Sequence, residues 1–183
     1  YEEAVNALPL PNVHLGVSIE DNEHRSRARN LLRTPAAVRW LSCEPLIGPL
    51  DMISELCETG PAPESVLPGG VSAPKIDWAV VGGESGNGNI RPMHPEWVID
   101  LQRQFKFLGI AFFFKQWGGY ISEEQARLSN VELPAKAKRI RFSRNARIVP
   151  PDGRGGEGVN PVTLIRLDKK LTGGLLNGEL VRE

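Results

Sequence analysis

Cysteine is scarce in this chain, which excludes a small protein held together by disulfides and one built around a cysteine-bound metal. The sequence has only two cysteines, Cys43 and Cys57, which are too few for a disulfide framework and have no metal-binding spacing. We therefore expect two reduced thiols in a protein of the cytoplasm.

An excess of one charge sign and a long apolar run are also missing. The 22 Lys and Arg residues balance the 22 Asp and Glu residues, so the bulk charge favours neither nucleic acid nor membrane as a partner. No apolar run approaches the roughly 20 residues of a membrane span, and no stretch has the pattern of a signal peptide. These absences predict a cytoplasmic protein without a membrane partner.

The familiar ligand motifs are absent as well. The string GGESGNGN at residues 82–89 lacks the Lys-Ser/Thr pair of a phosphate-binding P-loop, and it does not fit the dinucleotide pattern G-x-G-x-x-G. His14, His24 and His94 show no metal-binding spacing. A glycosidase-type acid pair stays open, because a sequence does not reveal the distance between two carboxylates.

Four short apolar runs rich in Val, Ile, Leu, Phe or Trp are present, and turn residues bound them. They are residues 13–19, 37–43, 76–81 and 110–114. A polar segment with good helix formers separates the first two runs, and a helix beginning at Pro95 separates the last two. Strand, helix and strand in repeated order predict an α/β fold with a parallel sheet.

Each of the first three predicted strands ends in a small residue followed two positions later by a glutamate. The three pairs are Ser18 with Glu20, Ser42 with Glu44, and Gly82 with Glu84. Residues two apart share one face of a strand, and ligands bind where the carboxyl ends of parallel strands meet. The three glutamates are therefore expected to converge on one ligand-binding rim.

The fourth predicted strand brings Lys115 and Gln116 to the same rim. Grouped carboxylates repel one another and need a counter-charge, for which Lys115, Arg91 or a cationic ligand are candidates. The alternative is that each glutamate pairs locally with a basic residue or a backbone amide and has no chemical role. No catalytic residue and no metal ligand is assigned. The predicted cofactor- or substrate-binding residues are Ser18, Glu20, Ser42, Glu44, Gly82, Gly83, Glu84, Ser85, Lys115 and Gln116.

Five strings of this region occur together in an unusual combination: NVHLGVSIED, TPAAVRWLSCEPLIGPLD, IDWAVVGGESG, RPMHPEWV and FFFKQWGG. In this order they resemble the phage gp-thirty-seven/sixty-eight family of uncharacterised proteins, from residue 11 to residue 119, and a weaker similarity returns at residues 166–177. Members of that family are found in phages and bacterial genomes, and they resemble radical S-adenosylmethionine enzymes.

The resemblance implies a partial (β/α) barrel of about four parallel strands over residues 1–119. Residues 120–183 would be an extension, with a loop and a hairpin packed on the barrel. An open doubly wound sheet, complete in itself, is the alternative. Since four strands do not close a barrel, we expect the isolated chain to be marginally stable or to associate.

S-adenosylmethionine and a [4Fe–4S] cluster are the cofactors that the resemblance implies for the full-length protein. The family's cluster cysteines belong to an upstream segment, so a chain that begins at Tyr1 is expected to be the C-terminal half. Without those cysteines we do not expect it to perform the radical reaction by itself. The ligand-side groups would be the strand-end glutamates and the neighbouring serines Ser18, Ser42 and Ser85, and the substrate is not revealed.

Residues 120–161 lack clear periodicity, which predicts an irregular tail, and Asn177-Gly178 between short apolar runs predicts a terminal hairpin. The tail has a basic run, and a solvated surface is its usual meaning. The second functional hypothesis is a non-catalytic nucleic-acid-binding phage accessory protein that uses this run. The third is a hydrolase with a carboxylate pair. The run consists of Lys136, Lys138, Arg139, Arg141, Arg144 and Arg147.

Overall fold

A computed structural model describes residues 9–57, 66–67, 71–72, 75–146, 148–149 and 161–181 of the chain. The strands, in chain order, are β1 (His14–Ser18), β2 (Val38–Cys43), β3 (Val66–Leu67), β4 (Val71–Ser72), β5 (Trp78–Gly82), β6 (Ala111–Gln116), β7 (Tyr120–Ser122), β8 (Arg139–Phe142), β9 (Ile148–Val149), β10 (Val162–Arg166), β11 (Leu175–Leu176) and β12 (Glu179–Leu180). The helices are α1 (Arg27–Arg33), α2 (Met52–Cys57), α3 (Pro95–Phe107), α4 (Glu123–Leu128) and α5 (Lys169–Thr172), with a 3-10 turn at Asn22–His24. Most of the Pro/Gly/Ser-rich stretch 59–74 lies outside the described residues.

The predicted four-stranded parallel sheet is confirmed. Its order is β1-β2-β5-β6, and all three pairings are parallel. Strand order therefore follows chain order without a reversal. Right-handed crossovers that always step in one direction place their helices on one face of a sheet.

The helix-covered face of this sheet is the hydrophobic core. Alternate residues of β2, β5 and β6 point into it, and the helices α1, α2 and α3 supply the opposing side chains, as in the Phe105–Phe112 ring pair at 6.2 Å. The sheet and helix members of this layer are Leu41, Cys43, Ala79, Val81, Phe112, Phe114, Ala28, Leu31, Met52, Val98, Leu101 and Phe105, all buried.

The opposite face of the sheet is only partly buried. The indoles of Trp40 and Trp78 stack there, with their centroids 4.5 Å apart and 5° between the ring planes. Trp40 covers Gly16, where an added Cβ atom would lie 2.3 Å from the indole ring. The next residues on this face, Ser42 and Lys115, are half-buried and exposed. The face becomes polar toward the carboxyl ends of the strands.

The prediction of an irregular tail is wrong for the described part of residues 120–181. An antiparallel sheet of order β7-β10-β8-β9 forms there. The predicted terminal hairpin is confirmed, because β11 and β12 pair antiparallel and turn at Asn177 and Gly178, both with positive φ. The sequence Arg139-Ile140-Arg141-Phe142 of β8 alternates basic and apolar residues, as a half-exposed strand does. The basic residues concealed that period-two pattern.

The C-terminal segment covers the outer edge of β6. The backbone N–H of Phe114 donates to the carbonyl of Val181 at 3.1 Å, and that of Trp117 donates to Gly173 at 3.3 Å. The buried indole N–H of Trp117 donates to Leu175 at 2.9 Å. These bonds dock the hairpin segment on the parallel sheet. No helix among the described residues is long and apolar enough to cross a membrane.

Candidate functional site

A carboxylate and an ammonium group meet above the end of the central strand β5. Glu44 follows β2, Lys115 belongs to β6, and Lys115 Nζ lies 3.1 Å from Glu44 Oε2. The pair spans Gly82, where an added Cβ atom would lie 2.4 Å from Glu44 Oε1. Glycine at this position therefore leaves the space that the Glu44 carboxylate occupies. The Glu44 side chain is 18% exposed and that of Lys115 is 51% exposed.

Glu84 is held by Arg91 from the loop that follows β5. The Arg91 guanidinium donates to both carboxylate oxygens, with Nε 2.9 Å from Oε2 and one terminal nitrogen 2.8 Å from Oε1, and its backbone N–H adds a bond of 2.7 Å. The side-chain bonds from Arg91 hold the pKa of Glu84 below its usual range; the backbone bond and the positive charge add to the effect, against partial burial. The predicted counter-charges Arg91 and Lys115 are confirmed as ion-pair partners.

Glu84→Gln is expected to remove part of the acid sensitivity of the fold. A carboxyl whose pKa is lower in the folded state stabilises the protein above its unfolded pKa of roughly 4.3, and this contribution is lost as pH falls through the folded pKa. For this partly exposed pair we expect about 1 kcal/mol, or a melting temperature lower by roughly 2–4 °C in the variant at pH 7. The measurement is thermal unfolding of parent and variant from pH 7 to pH 3.

The difference between parent and variant should vanish near pH 3. Arg91→Met, which removes the partner and keeps the carboxyl, should converge with the parent in the same way. A gap that stays constant over this range would contradict the assignment of the lowered pKa to this pair.

Glu20 lies at the same edge but has its own local partners. Arg27 donates to Glu20 Oε2 at 3.0 Å and to the carbonyl of Ser18 at 2.8 Å. Ser18 and Ser42 stand opposite each other in the register of β1 and β2. All three predicted glutamates therefore have a cationic partner inside the chain, and the basic partner of Glu20 was not predicted.

A shallow depression of about 270 Å³ opens at this edge. It contains most of the predicted site residues; Ser18, Glu20 and Ser42 do not line it, and Gly82 lies against Glu44 beside it. The structure thus brings Glu44 together with the predicted residues of β5, β6 and the loop after β5, and it leaves Ser42 and the residues of β1 to one side. The lining residues are Glu44, Pro45, Gly83, Glu84, Ser85, Lys115 and Gln116.

The glycines beside the depression allow two loops to pack backbone against backbone. An added Cβ atom would lie 2.1 Å from the Trp117 carbonyl oxygen at Gly83, and 2.3 Å from the Glu84 carbonyl oxygen at Gly118, which has a φ of +80°. The Gly119 N–H donates to Glu84 O at 2.8 Å across the same contact. These glycines fix the loop after β5 against the loop after β6, and so fix the walls of the depression.

The whole chain, residues 1–183, matches the family described as Protein of unknown function (DUF5131). The chain belongs to this family. No curated protein and no solved structure shows a significant match to it. The family assignment therefore gives the chain no activity.

The two cysteines of this DUF5131 chain do not fit an iron–sulfur cluster, which takes several closely placed thiolates. Cys43 is fully buried, and burial, followed by the charges of Glu44 and Glu20, raises the pKa of its thiol to about 12. Cys57 is exposed at the end of α2. No group of three or more His, Cys, Asp or Glu side chains able to hold a metal ion occurs among the described residues.

The described residues of the basic run lie on β8 and in the loops on either side of it, and none of them lines the depression. Arg144 is bound to Glu96 and Asp100 of α3, and Arg139 contacts Glu123 at 3.8 Å and two backbone carbonyls. All five described members are exposed, and Lys136, Lys138 and Arg141 have no ion-pair partner among the described residues. Arg147 lies outside the described residues. The nucleic-acid interpretation stays a prediction.

Proposed function

We propose that the carboxyl edge of the parallel sheet is the ligand-binding site of a barrel-type enzyme of small-molecule metabolism. The observation that carries this proposal is the Glu44–Lys115 pair above Gly82. Two opposite charges, one from the residue after β2 and one from β6, stand over a glycine at the end of the sheet where α/β proteins bind ligands. A purely structural pair would not require a depression beside it.

Strand order supports the barrel part of the proposal. Doubly wound sheets reverse their strand order at a switch point and carry helices on both faces. The order β1-β2-β5-β6 has no reversal, and α1, α2 and α3 pack in one layer. We infer that the partly open face with Trp40 and Trp78 is the inner surface of a partial (β/α) barrel, and that the depression is its mouth.

The charges of the depression favour a zwitterionic ligand. Glu44 and Lys115 together are neutral, and both are within reach of solvent. An amino-acid group can separate them, its ammonium binding Glu44 and its carboxylate binding Lys115, so that each lost contact is replaced by a charge-assisted hydrogen bond. Ser85 and Gln116, on the same wall, offer hydroxyl and amide groups to the rest of the ligand.

S-adenosylmethionine is the ligand that we propose, because it combines an amino-acid group, a sulfonium and ribose hydroxyls. In this site the chain would bind and orient the amino-acid group through Glu44 and Lys115. We also propose, from the family resemblance alone, that the full-length protein is a phage-associated enzyme of the radical S-adenosylmethionine type. Since Cys43 and Cys57 do not fit a [4Fe–4S] cluster, no radical step is derived for this chain.

Calorimetric titration with S-adenosylmethionine and with methionine tests the proposal. A hydrogen bond to a charged group contributes about 1.5–3 kcal/mol, so Glu44→Gln and Lys115→Met should each weaken binding by roughly tenfold or more. The matched controls are Glu132→Gln in the loop after α4 and Lys106→Met in α3, both exposed, and they should bind like the parent. Absence of binding by the folded parent, or equal binding by all variants, would overturn the proposal.

The second candidate is nucleic-acid binding by the exposed residues Lys136, Lys138 and Arg141. It predicts an affinity for DNA or RNA that falls steeply with salt. Fluorescence anisotropy with a labelled oligonucleotide, comparing the parent with the triple charge reversal to Glu, distinguishes it from the first. No binding at low salt would remove it.

A further inference from the structure

A second groove, of about 680 Å³, shares the lining residue Ser85 with the depression. One wall is the glycine-rich loop after β5, which contributes Ser85, Gly86 and Asn87; the other wall is the end of β10 and α5. Neither the family assignment nor the proposed ligand accounts for this groove.

Two cations line the groove, Arg166 at the end of β10 and Lys170 in α5. Arg166 is fixed in place, because one terminal nitrogen donates to the carbonyl of Gly88 at 2.8 Å and its guanidinium carbon lies 5.8 Å from the centre of the Tyr120 ring. A guanidinium has five N–H donors, so further donors remain for a ligand. Lys170, which is exposed, lines the same wall.

The loop wall adds neutral donors and open space. Ser85 supplies a hydroxyl and Asn87 a side-chain amide. Gly86 has a φ of +152°, and neither Gly86 nor Gly88 has a heavy atom within 4 Å of an added Cβ atom. The backbone of this loop is thus accessible to a ligand, in contrast to Gly83 and Gly118, which are pressed against neighbouring backbone.

One acid also lines the groove. Asp168 lies between the two cations in sequence, and its Oδ1 accepts the backbone N–H of Lys170 at 2.9 Å. Two positive side chains against one negative one leave the groove with a net positive charge. The donors outnumber the free acceptors, which is the pattern that an oxyanion requires.

We propose that this groove binds the phosphate group of a small molecule. The site differs from a P-loop, because its cations come from β10 and α5 rather than from the glycine-rich string itself. Arg166 provides a directional donor and Lys170 a mobile charge, a division that suits a doubly charged tetrahedral group. The phosphate site stands on these residues alone. It is independent of the ligand proposed for the depression, because S-adenosylmethionine has no phosphate group.

Titration with inorganic phosphate, followed by amide NMR at constant ionic strength, tests the site. We expect saturable shifts at residues 85–88, and binding about tenfold weaker in Arg166→Met and about threefold weaker in Lys170→Met. Arg166→Lys keeps the charge and should lose less than Arg166→Met. Lys106→Met, at the exposed end of α3, is the matched control and should bind phosphate like the parent.

Lys170 makes no side-chain contact that the fold depends on among the described residues, so Lys170→Met keeps the test decisive if Arg166→Met unfolds. Equal phosphate affinity in the parent and in Lys170→Met, or no saturable shift in the parent, would overturn the proposal.

A comparison of inorganic phosphate with ribose 5-phosphate distinguishes free phosphate from a phosphate ester. If the ester binds more tightly than phosphate and Glu44→Gln weakens this binding, the bound ester extends from the groove into the depression. If the ester binds more tightly than phosphate and Glu44→Gln leaves this binding unchanged, the phosphate site stands and is independent of the depression. Weaker binding of the ester would assign the groove to free phosphate.

Discussion

Gly118→Ala is expected to destabilise the chain more than any other single-methyl substitution in the site region. The added Cβ atom would meet the Glu84 carbonyl oxygen at 2.3 Å, and Gly118 has a φ of +80°. The left-handed conformation costs a residue with a side chain about 1–2 kcal/mol, and overpacking against backbone adds about 1–3 kcal/mol. We therefore expect a loss of roughly 2–5 kcal/mol in the free energy of unfolding, measured by urea denaturation.

Two glycines in the neighbouring loop separate the causes of this loss. Gly86→Ala tests backbone conformation without a clash, because φ is +152° and no atom lies within 4 Å of the added Cβ atom. Gly88→Ala has neither problem and should change stability by less than about 0.5 kcal/mol. If Gly118→Ala were no worse than Gly88→Ala, the close contact between the two loops would be refuted.

Trp97→Ala should cost about 3–5 kcal/mol of unfolding free energy, the range for a buried aromatic side chain. Trp97 of α3 is 1% exposed, and its ring packs edge-on against Phe142 of β8 with centroids 5.7 Å apart. Its indole N–H donates to the carbonyl of Arg144 at 2.7 Å. One side chain therefore joins the helix layer of the parallel sheet to the antiparallel sheet.

Trp97→Phe keeps most of the packing and loses the hydrogen bond. We expect the lost bond to lower the free energy of unfolding by about 1 kcal/mol, and the smaller ring to lower it somewhat further. Phe107→Ala is the control, since this aromatic residue of the same helix is 73% exposed.

Calorimetry of Trp97→Ala should also show whether the two sheets melt together. A single transition at the parental temperature would contradict the role that we assign to Trp97.

The parallel sheet could be predicted because each strand carries a compact run of Val, Leu, Trp or Phe that ends at a polar residue. The same runs located Glu44 and Lys115 at one edge, since strand ends of a parallel sheet coincide. The partners of the glutamates were only half predictable. Arg91 and Lys115 stood out as nearby cations, whereas the bond between Arg27 and Glu20 depends on how α1 packs beside β1.

The antiparallel sheet was missed because its strands are short and two to five residues give little periodicity. The roles of the glycines were missed for a different reason. A glycine that admits a ligand and one that admits a neighbouring backbone look alike in a sequence. Gly83 and Gly118 prove to be of the second kind, and only coordinates reveal the Trp117 and Glu84 carbonyls beside them.

The bond from Phe114 N–H to the Val181 carbonyl has a consequence for how this sheet can grow. The bond occupies a backbone donor on the outer edge of β6, while β1 has a single strand neighbour among the described residues. In the part of the chain that the structure describes, a further strand has an unpaired strand edge to join alongside His14–Ser18. Within the described residues, the unpaired side of the parallel sheet is therefore the side of Glu20, and a second chain that added a strand there would lie next to this carboxylate.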